Sequence, residues 1–94
     1  MPKTLVVDQI EVTQNGTIQV RMHKLSSDGD VIGNHRTSIE PGGSVDNQLA
    51  SVNTHMATEN YAPVSAGDIA RVQAIADAAW TPEVIAAYEA ARNA

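Results

Sequence analysis

The stretch WTPEVIAAY at residues 80–88 joins two short alanine-rich segments and decides how the second half of the chain folds. Thr81 is a typical helix N-cap, and Pro82 suits the first helical position, where its missing N–H group removes no hydrogen bond. We therefore expect one helix to end near Trp80 and another to begin at Pro82. Trp80, the only tryptophan, should be substantially buried between these helices and the sheet.

Helical periodicity begins at residue 45. Residues 45–58 carry apolar side chains at helical spacing, with Ser44 or Asp46 as the candidate N-cap. The sequence SAGD at residues 65–68 then fits a capping box, in which Asp68 reaches back to the start of the next helix. The expected buried positions of the three helices are Leu49, Val52, Met56, Ile69, Val72, Ile75, Ala76, Ala79, Val84, Ile85 and Tyr88.

Before residue 44 the hydrophobic pattern has a period of two. Residues 4–13, 17–25 and 31–39 alternate apolar and polar side chains, which is typical of half-buried strands. Turn-forming residues separate these segments, and a Pro-Gly-Gly turn at residues 41–43 ends the third. The whole pattern predicts an α+β fold: a three-stranded antiparallel meander followed by two or three short helices packed on one face.

The two turns set the register of the strands. A three-residue loop at residues 14–16, with Gly16 in the left-handed conformation, keeps the apolar faces together, whereas a two-residue Asn-Gly turn would mix them. A two-residue type I′ loop is expected at residues 28–29. The resulting cross-strand partners are Val12–Ile18, Ile10–Val20, Leu25–Ile32, Met22–His35, Val20–Thr37 and Ile18–Ile39. In this register one face carries Val6, Ile10 and Val12 and meets the helices, and the opposite face carries Leu5, Val7, Leu25 and Ile32.

Length and composition indicate one domain, residues 1–94, with a β-meander at 1–43 and a helical part at 44–94. The chain has no Phe, one Trp and two Tyr. Aromatic side chains bury the most surface per residue, so this core should be thin. Two alternatives follow: a marginally stable monomer, or a protomer that completes its core in an oligomer.

Charge and composition exclude several classes of partner. The net charge is −5 and the six Lys and Arg residues are scattered, which argues against binding to nucleic acid or to an anionic membrane. No apolar run approaches 18 residues, and no leader sequence is visible. Cysteine is absent, so the sequence predicts no disulfide, thiolate nucleophile or cysteine-based metal site.

The candidate chemistry points away from an enzyme. His23, His35 and His55 lack metal-ligand spacing, and His23 and His35 should face opposite sides of the sheet. His35 lies across from Met22, where it is either a neutral, hydrogen-bonded histidine at the edge of the core or a pH-sensitive contact. No nucleophile elbow, convergent acid pair or phosphate loop is present. We therefore expect no catalytic residues, metal site or cofactor.

The residues predicted to meet another protein are apolar or cationic. Leu25 and Ile32 would form an apolar patch on the sheet face away from the helices, and such patches often mark contacts with other chains. Arg21 and Arg36 pair on the same face, and two close cations favour a carboxylate from another chain. Tyr88 on the last helix is the further candidate for an interface.

The sequence HRTSIEPGG at residues 35–43 and the WTPEVIAAY stretch, behind an Asn-Gly and Asp-Gly strand pair, resemble a group of short phage- and prophage-encoded proteins. Those proteins similarly run from a His-Arg strand into a Pro-Gly turn and end in a Thr-Pro-Glu-Val helix. Several of them lack the helix predicted here at residues 45–58. The resemblance implies a small viral protein, present in the bacterial cytoplasm during assembly or in the virion.

The first hypothesis is accordingly a phage structural or assembly protein, such as a virion or tail component, that binds other phage proteins or copies of itself. The alternative is a non-virion accessory protein that binds one host or phage protein, as an inhibitor or a chaperone. A small metal-dependent or hydrolytic enzyme is the third hypothesis, and the sequence gives it the least support.

Overall fold

The computed structural model describes residues 3–93. Its elements, in chain order, are β1 (Thr4–Val12), β2 (Ile18–Leu25), β3 (Val31–Ile39), α1 (Val45–Ala57), α2 (Ala66–Ala79) and α3 (Pro82–Arg92). The strands form one antiparallel sheet in the order β1-β2-β3. The predicted α+β fold, a three-stranded meander followed by three helices, is therefore confirmed.

The central strand β2 supplies the middle of the hydrophobic core. Ile18, Val20 and Met22 alternate along β2 and are completely buried. Helix α1 packs against β3 and helix α2 against β1, so both cover this side of the sheet. The other side is called the outer face below. The remaining buried apolar residues are Leu5, Val7, Ile39, Val45, Leu49, Val52, Met56, Tyr61, Val64, Val72 and Ala76.

The first hairpin has the predicted three-residue loop. The Thr13 N–H donates to the Thr17 carbonyl at 2.9 Å, and the Gly16 N–H donates to the Thr13 carbonyl at 3.0 Å. Gly16 has a φ of 92°, the left-handed conformation that glycine adopts without strain. The predicted pairs Val12–Ile18 and Ile10–Val20 are confirmed. Val12 nevertheless remains 46% exposed at the end of its edge strand.

The prediction for the second hairpin was wrong. Its loop also has three residues, 27–29, since the Ser26 N–H donates to the Asp30 carbonyl at 2.8 Å. The Ser26 hydroxyl also accepts from the Asp30 N–H at 3.2 Å and favours this wider loop. Leu25 therefore pairs with Val31 and not with Ile32, which is the extra residue of a β-bulge. The bulge restores the predicted register from residue 33 onward, including the pairs Met22–His35, Val20–Thr37 and Ile18–Ile39.

A second bulge lies in β1 and overturns the predicted faces of that strand. Val7 pairs with Met22, whereas Gln9 pairs with Arg21, so Asp8 is the extra residue. A one-residue shift moves every preceding side chain to the opposite face. Leu5 and Val7, predicted on the outer face, are buried in the core, and Val6, predicted to face the helices, is exposed on the outer face.

The N-caps Ser65 and Thr81 are those that the sequence predicted, and Ser44, one of the two candidates for α1, caps the first helix. Ser44, Ser65 and Thr81 accept hydrogen bonds from amides of the first helical turns, at 3.2, 3.2 and 3.3 Å. The expected role of Asp68 in a capping box is wrong. Its carboxylate instead accepts from the Val7 N–H at 3.0 Å, and thereby ties α2 to the bulged edge of the sheet.

Helix α3 is less buried than predicted. Val84, Ile85 and Tyr88 are half-buried, and no residue of α3 is fully buried. The helix lies against the first hairpin loop and the Pro41–Gly42 turn instead of covering the sheet. Trp80, predicted to be substantially buried, is also half-buried, although its indole N–H donates to the Gly16 carbonyl at 2.7 Å. The core is thus completed mainly by α1 and α2.

The two hairpin glycines provide a matched test of this packing. Gly16 and Gly29 have φ values of 92° and 93° in the same type of loop. A Cβ at Gly16 would lie 2.5 Å from Cγ1 of Val84, whereas a Cβ at Gly29 would meet nothing within 4 Å. We expect Gly29→Ala to lower the free energy of unfolding by about 1 kcal/mol, through backbone strain alone. Gly16→Ala should lower it by roughly 2–4 kcal/mol, because α3 must also move.

Urea denaturation of the two variants measures this difference directly. Equal losses of stability at the two positions would contradict the close packing of α3 on the first hairpin.

Candidate functional site

The middle of the outer face carries an ion-pair network that the sequence did not indicate. The bulge directs the Asp8 carboxylate toward Arg21, whose guanidinium binds both of its oxygens; Nε lies 3.1 Å from Oδ1. His23 Nε2 lies 3.1 Å from the same carboxylate, and His23 Nδ1 lies 2.9 Å from the Asn34 amide oxygen. The Arg21 hydrogen bond holds the pKa of Asp8 below its ordinary value, and Asp8 raises the pKa of Arg21. Arg21 therefore has its counter-ion within its own chain, and the expectation that it needs a carboxylate from elsewhere was wrong.

Arg36 differs from Arg21 in this respect. The two arginines lie directly across from each other on β2 and β3, as predicted. Arg36 is exposed, and among residues 3–93 no carboxylate forms an ion pair with it. Of the predicted arginine pair, Arg36 alone therefore has no ion pair within the described part of the chain.

Four apolar residues form a patch at one end of the outer face. We call this set, Val6, Leu25, Val31 and Ile32, the outer patch. Val31 and Ile32 are 58% and 55% exposed, Val6 is exposed and Leu25 is half-buried. Val6 lies diagonal to Leu25, which pairs with Val31, so the patch runs across all three strands. The sequence identified Leu25 and Ile32, but it missed Val6 and Val31 because both positions depend on the bulges.

Tyr88 lies on a different surface, beside the first hairpin. It is half-buried, and the Arg92 guanidinium lies 5.9 Å from the centre of its ring. Burial, and then hydrogen bonding to Glu40, raises the pKa of Tyr88. One side of α3 and residues 14–15 enclose a shallow groove of ≈ 520 Å³. The structure thus divides the five predicted interface residues: Leu25, Ile32, Arg21 and Arg36 share the outer face, and Tyr88 lies at the other end of the sheet.

The histidines lie on both sides of the sheet, as the register predicted. His35 faces α1, and the centre of its ring lies 6.4 Å from that of His55. Partial burial lowers the pKa of His35; the charges of Lys24 and His55 act in the same direction, and Glu59 opposes them. Within residues 3–93, no three His, Asp or Glu side chains are grouped so that they could hold a metal ion. None of the three helices has the length and apolar character needed to cross a bilayer.

Comparison of the chain with protein-family models, with curated proteins and with solved structures found no match.

The environment of His35 predicts that acid weakens the fold. Because the folded state lowers the pKa of His35, the unfolded chain binds the proton more readily. Stability should therefore fall as the pH drops through the ordinary histidine range, and level off once folded His35 is also protonated. Between about pH 7.5 and about pH 5, the free energy of unfolding measured by urea denaturation should depend less steeply on pH for His35→Gln than for the wild type.

Thr37→Val is the control for that measurement. Thr37 is the next residue of β3 on the same face, and its replacement removes no titrating group. This variant should keep the wild-type pH dependence. An unchanged dependence in His35→Gln would contradict the role of His35.

Proposed function

We propose that this chain is a structural or assembly component of a bacteriophage particle that works by binding another phage protein. The outer face of its sheet is the contact surface. The single observation that carries this proposal is the outer patch, where Val31 and Ile32 are each more than half exposed. The same face carries Arg36, which forms no ion pair within residues 3–93.

The outer patch is contiguous, because its four apolar residues lie next to one another across the three strands. Isolated exposed apolar residues are common, but contiguous ones more often belong to contacts with other chains. The patch also lies at the start of β3, and no other strand of the described chain pairs with the outward edge of β3. An unpaired edge strand can add a strand from a partner, and apolar side chains beside it strengthen such a contact.

Charge indicates the chemistry of the partner. The chain carries a net charge of −5, yet β3 contains Arg36 and His35 and no acidic residue. A partner surface that places a carboxylate against Arg36 and an apolar side chain against Ile32 would complement both features. Protein surfaces commonly combine these groups. Nucleic acid, in contrast, would be repelled by the excess of acidic residues in the rest of the chain.

The phage context comes from the sequence resemblance, in particular the His-Arg strand that leads into a Pro-Gly turn. In a particle, the small size of the domain suits a component present in many copies. A non-virion accessory protein would use the same surface, so the composition of the particle separates the two functions.

Ile32→Glu tests the contact surface. Ile32 does not belong to the core, so the variant should fold as the wild type does, as circular dichroism can verify. A carboxylate buried at an interface without a partner is costly, and we expect incorporation into particles to fall by roughly tenfold or more. Mass spectrometry of purified particles of the encoding phage measures the number of copies.

Val12→Glu is the matched control, because Val12 is similarly exposed at the opposite end of the sheet. It should leave incorporation unchanged. Absence of the wild-type chain from particles would contradict a structural role, and equal incorporation of the folded Ile32→Glu variant would place the contact elsewhere.

A further inference from the structure

Helix α3 exposes an apolar side that residues 3–93 leave uncovered. The α3 groove is lined by Glu83, Val84, Ala87, Tyr88, Ala91 and Arg92 on one side and by the first hairpin loop on the other. These six residues recur at the spacing of one helical face. An amphipathic helix normally buries such a face, yet no residue of α3 is fully buried.

The lining of the α3 groove is symmetric along the helix. Its midpoint lies between Ala87 and Tyr88, and the six residues form three pairs at equal distances from this point: Glu83 with Arg92, Val84 with Ala91, and Ala87 with Tyr88. Two identical helices that cross antiparallel about a two-fold axis bring such equidistant positions together. Opposite charges, Glu83 and Arg92, therefore occupy equivalent positions at the two ends of this surface.

We propose that two copies of this chain associate through their α3 grooves, with the two helices antiparallel about a two-fold axis at Ala87–Tyr88. Glu83 of each copy then meets the partner's Arg92, which gives one ion pair at each end of the interface. Val84, Ala87, Tyr88 and Ala91 fill the apolar centre between them.

Three features favour a second copy as the occupant of the groove. An antiparallel crossing places the positive N-terminal end of each helix dipole beside the negative C-terminal end of the other. Ala87 and Ala91 have small side chains, which allow two helices to approach closely. Arg92 can reach a partner, because its side chain is more than half exposed and its ion pair with Glu40 of the same chain is long, at 3.9 Å between Nη1 and the carboxylate.

The α3 groove is independent of the outer patch. The groove adjoins the loop between β1 and β2, whereas the outer patch adjoins the loop between β2 and β3, at the other end of the strands. A dimer formed through α3 leaves both outer patches accessible. An experiment can therefore disprove the contact at one surface without affecting the contact at the other.

Paired alanine substitutions provide the first test. Ala86 and Ala87 are neighbouring exposed residues of α3, but only Ala87 lines the groove. Ala87→Glu should raise the dimer dissociation constant at least about tenfold, because a carboxylate would enter the apolar centre. Ala86→Glu should leave the constant unchanged. Sedimentation equilibrium measures both values, with circular dichroism to show that both variants remain helical.

Exchange of the terminal charges tests the antiparallel arrangement. Glu83→Arg and Arg92→Glu should each weaken self-association by roughly tenfold, because two attractive contacts per dimer become repulsive. A mixture of the two variants restores opposite charges at both ends, so the mixed dimer should form in preference to either homodimer. Preferential mixed dimers would support the proposal even if each variant were less stable alone.

A wild-type chain that remains monomeric at about millimolar concentration would overturn the proposal. A dimer that resists Ala87→Glu, or charge variants whose mixture associates no better than each alone, would overturn it as well.

Discussion

The fold depends on one extra residue, Asp8, in the edge strand β1. The bulge at this position turns Leu5 and Val7 into the core and points the Asp8 carboxylate outward, where Arg21 binds it. It also leaves the Val7 N–H on the open edge of the sheet, and Asp68 of α2 accepts that hydrogen bond. The Asp8–Arg21 ion pair on the outer face and the Asp68 carboxylate at the edge thus both stabilise the bulged segment around residues 7–8. The sheet and the helical layer are tied together at this point.

The local parts of the structure were predictable from the sequence. Each N-cap bonds to an amide three residues away, and each helix has an apolar repeat within its own length, so this information lies in short segments. The first hairpin register also followed, because one choice of loop kept the apolar faces together. Both bulges were missed. The bulge in β1 depends on distant partners. Asp8 pairs with Arg21, 13 residues away, and the Val7 N–H donates to Asp68, 61 residues away.

In the candidate surfaces, too, the residues set by local alternation were predictable and those set by the bulges were not. Ile32 and Arg36 were identified because alternation within β3 places them on the outer face. Val6 and Val31 were missed, and Leu5 and Val7 were wrongly included, because a bulge reverses the alternation at a position that no local pattern marks. The weak burial of α3 was also hidden from the sequence: its periodicity predicts an apolar face, but not which neighbour covers that face. Here the neighbours are a hairpin loop and a turn, which are too small to enclose it.

The order of the elements has a consequence for synthesis on the ribosome. The sheet is complete after Ile39, but α1 and α2, which cover Ile18, Val20 and Met22, come later in the chain. At ordinary translation rates the nascent meander must wait on the order of a few seconds for them, with its apolar face in contact with water. The hydrogen bonds Val7–Asp68 and Trp80–Gly16 join residues 61 and 64 positions apart, so they can form only after α2 has been synthesised.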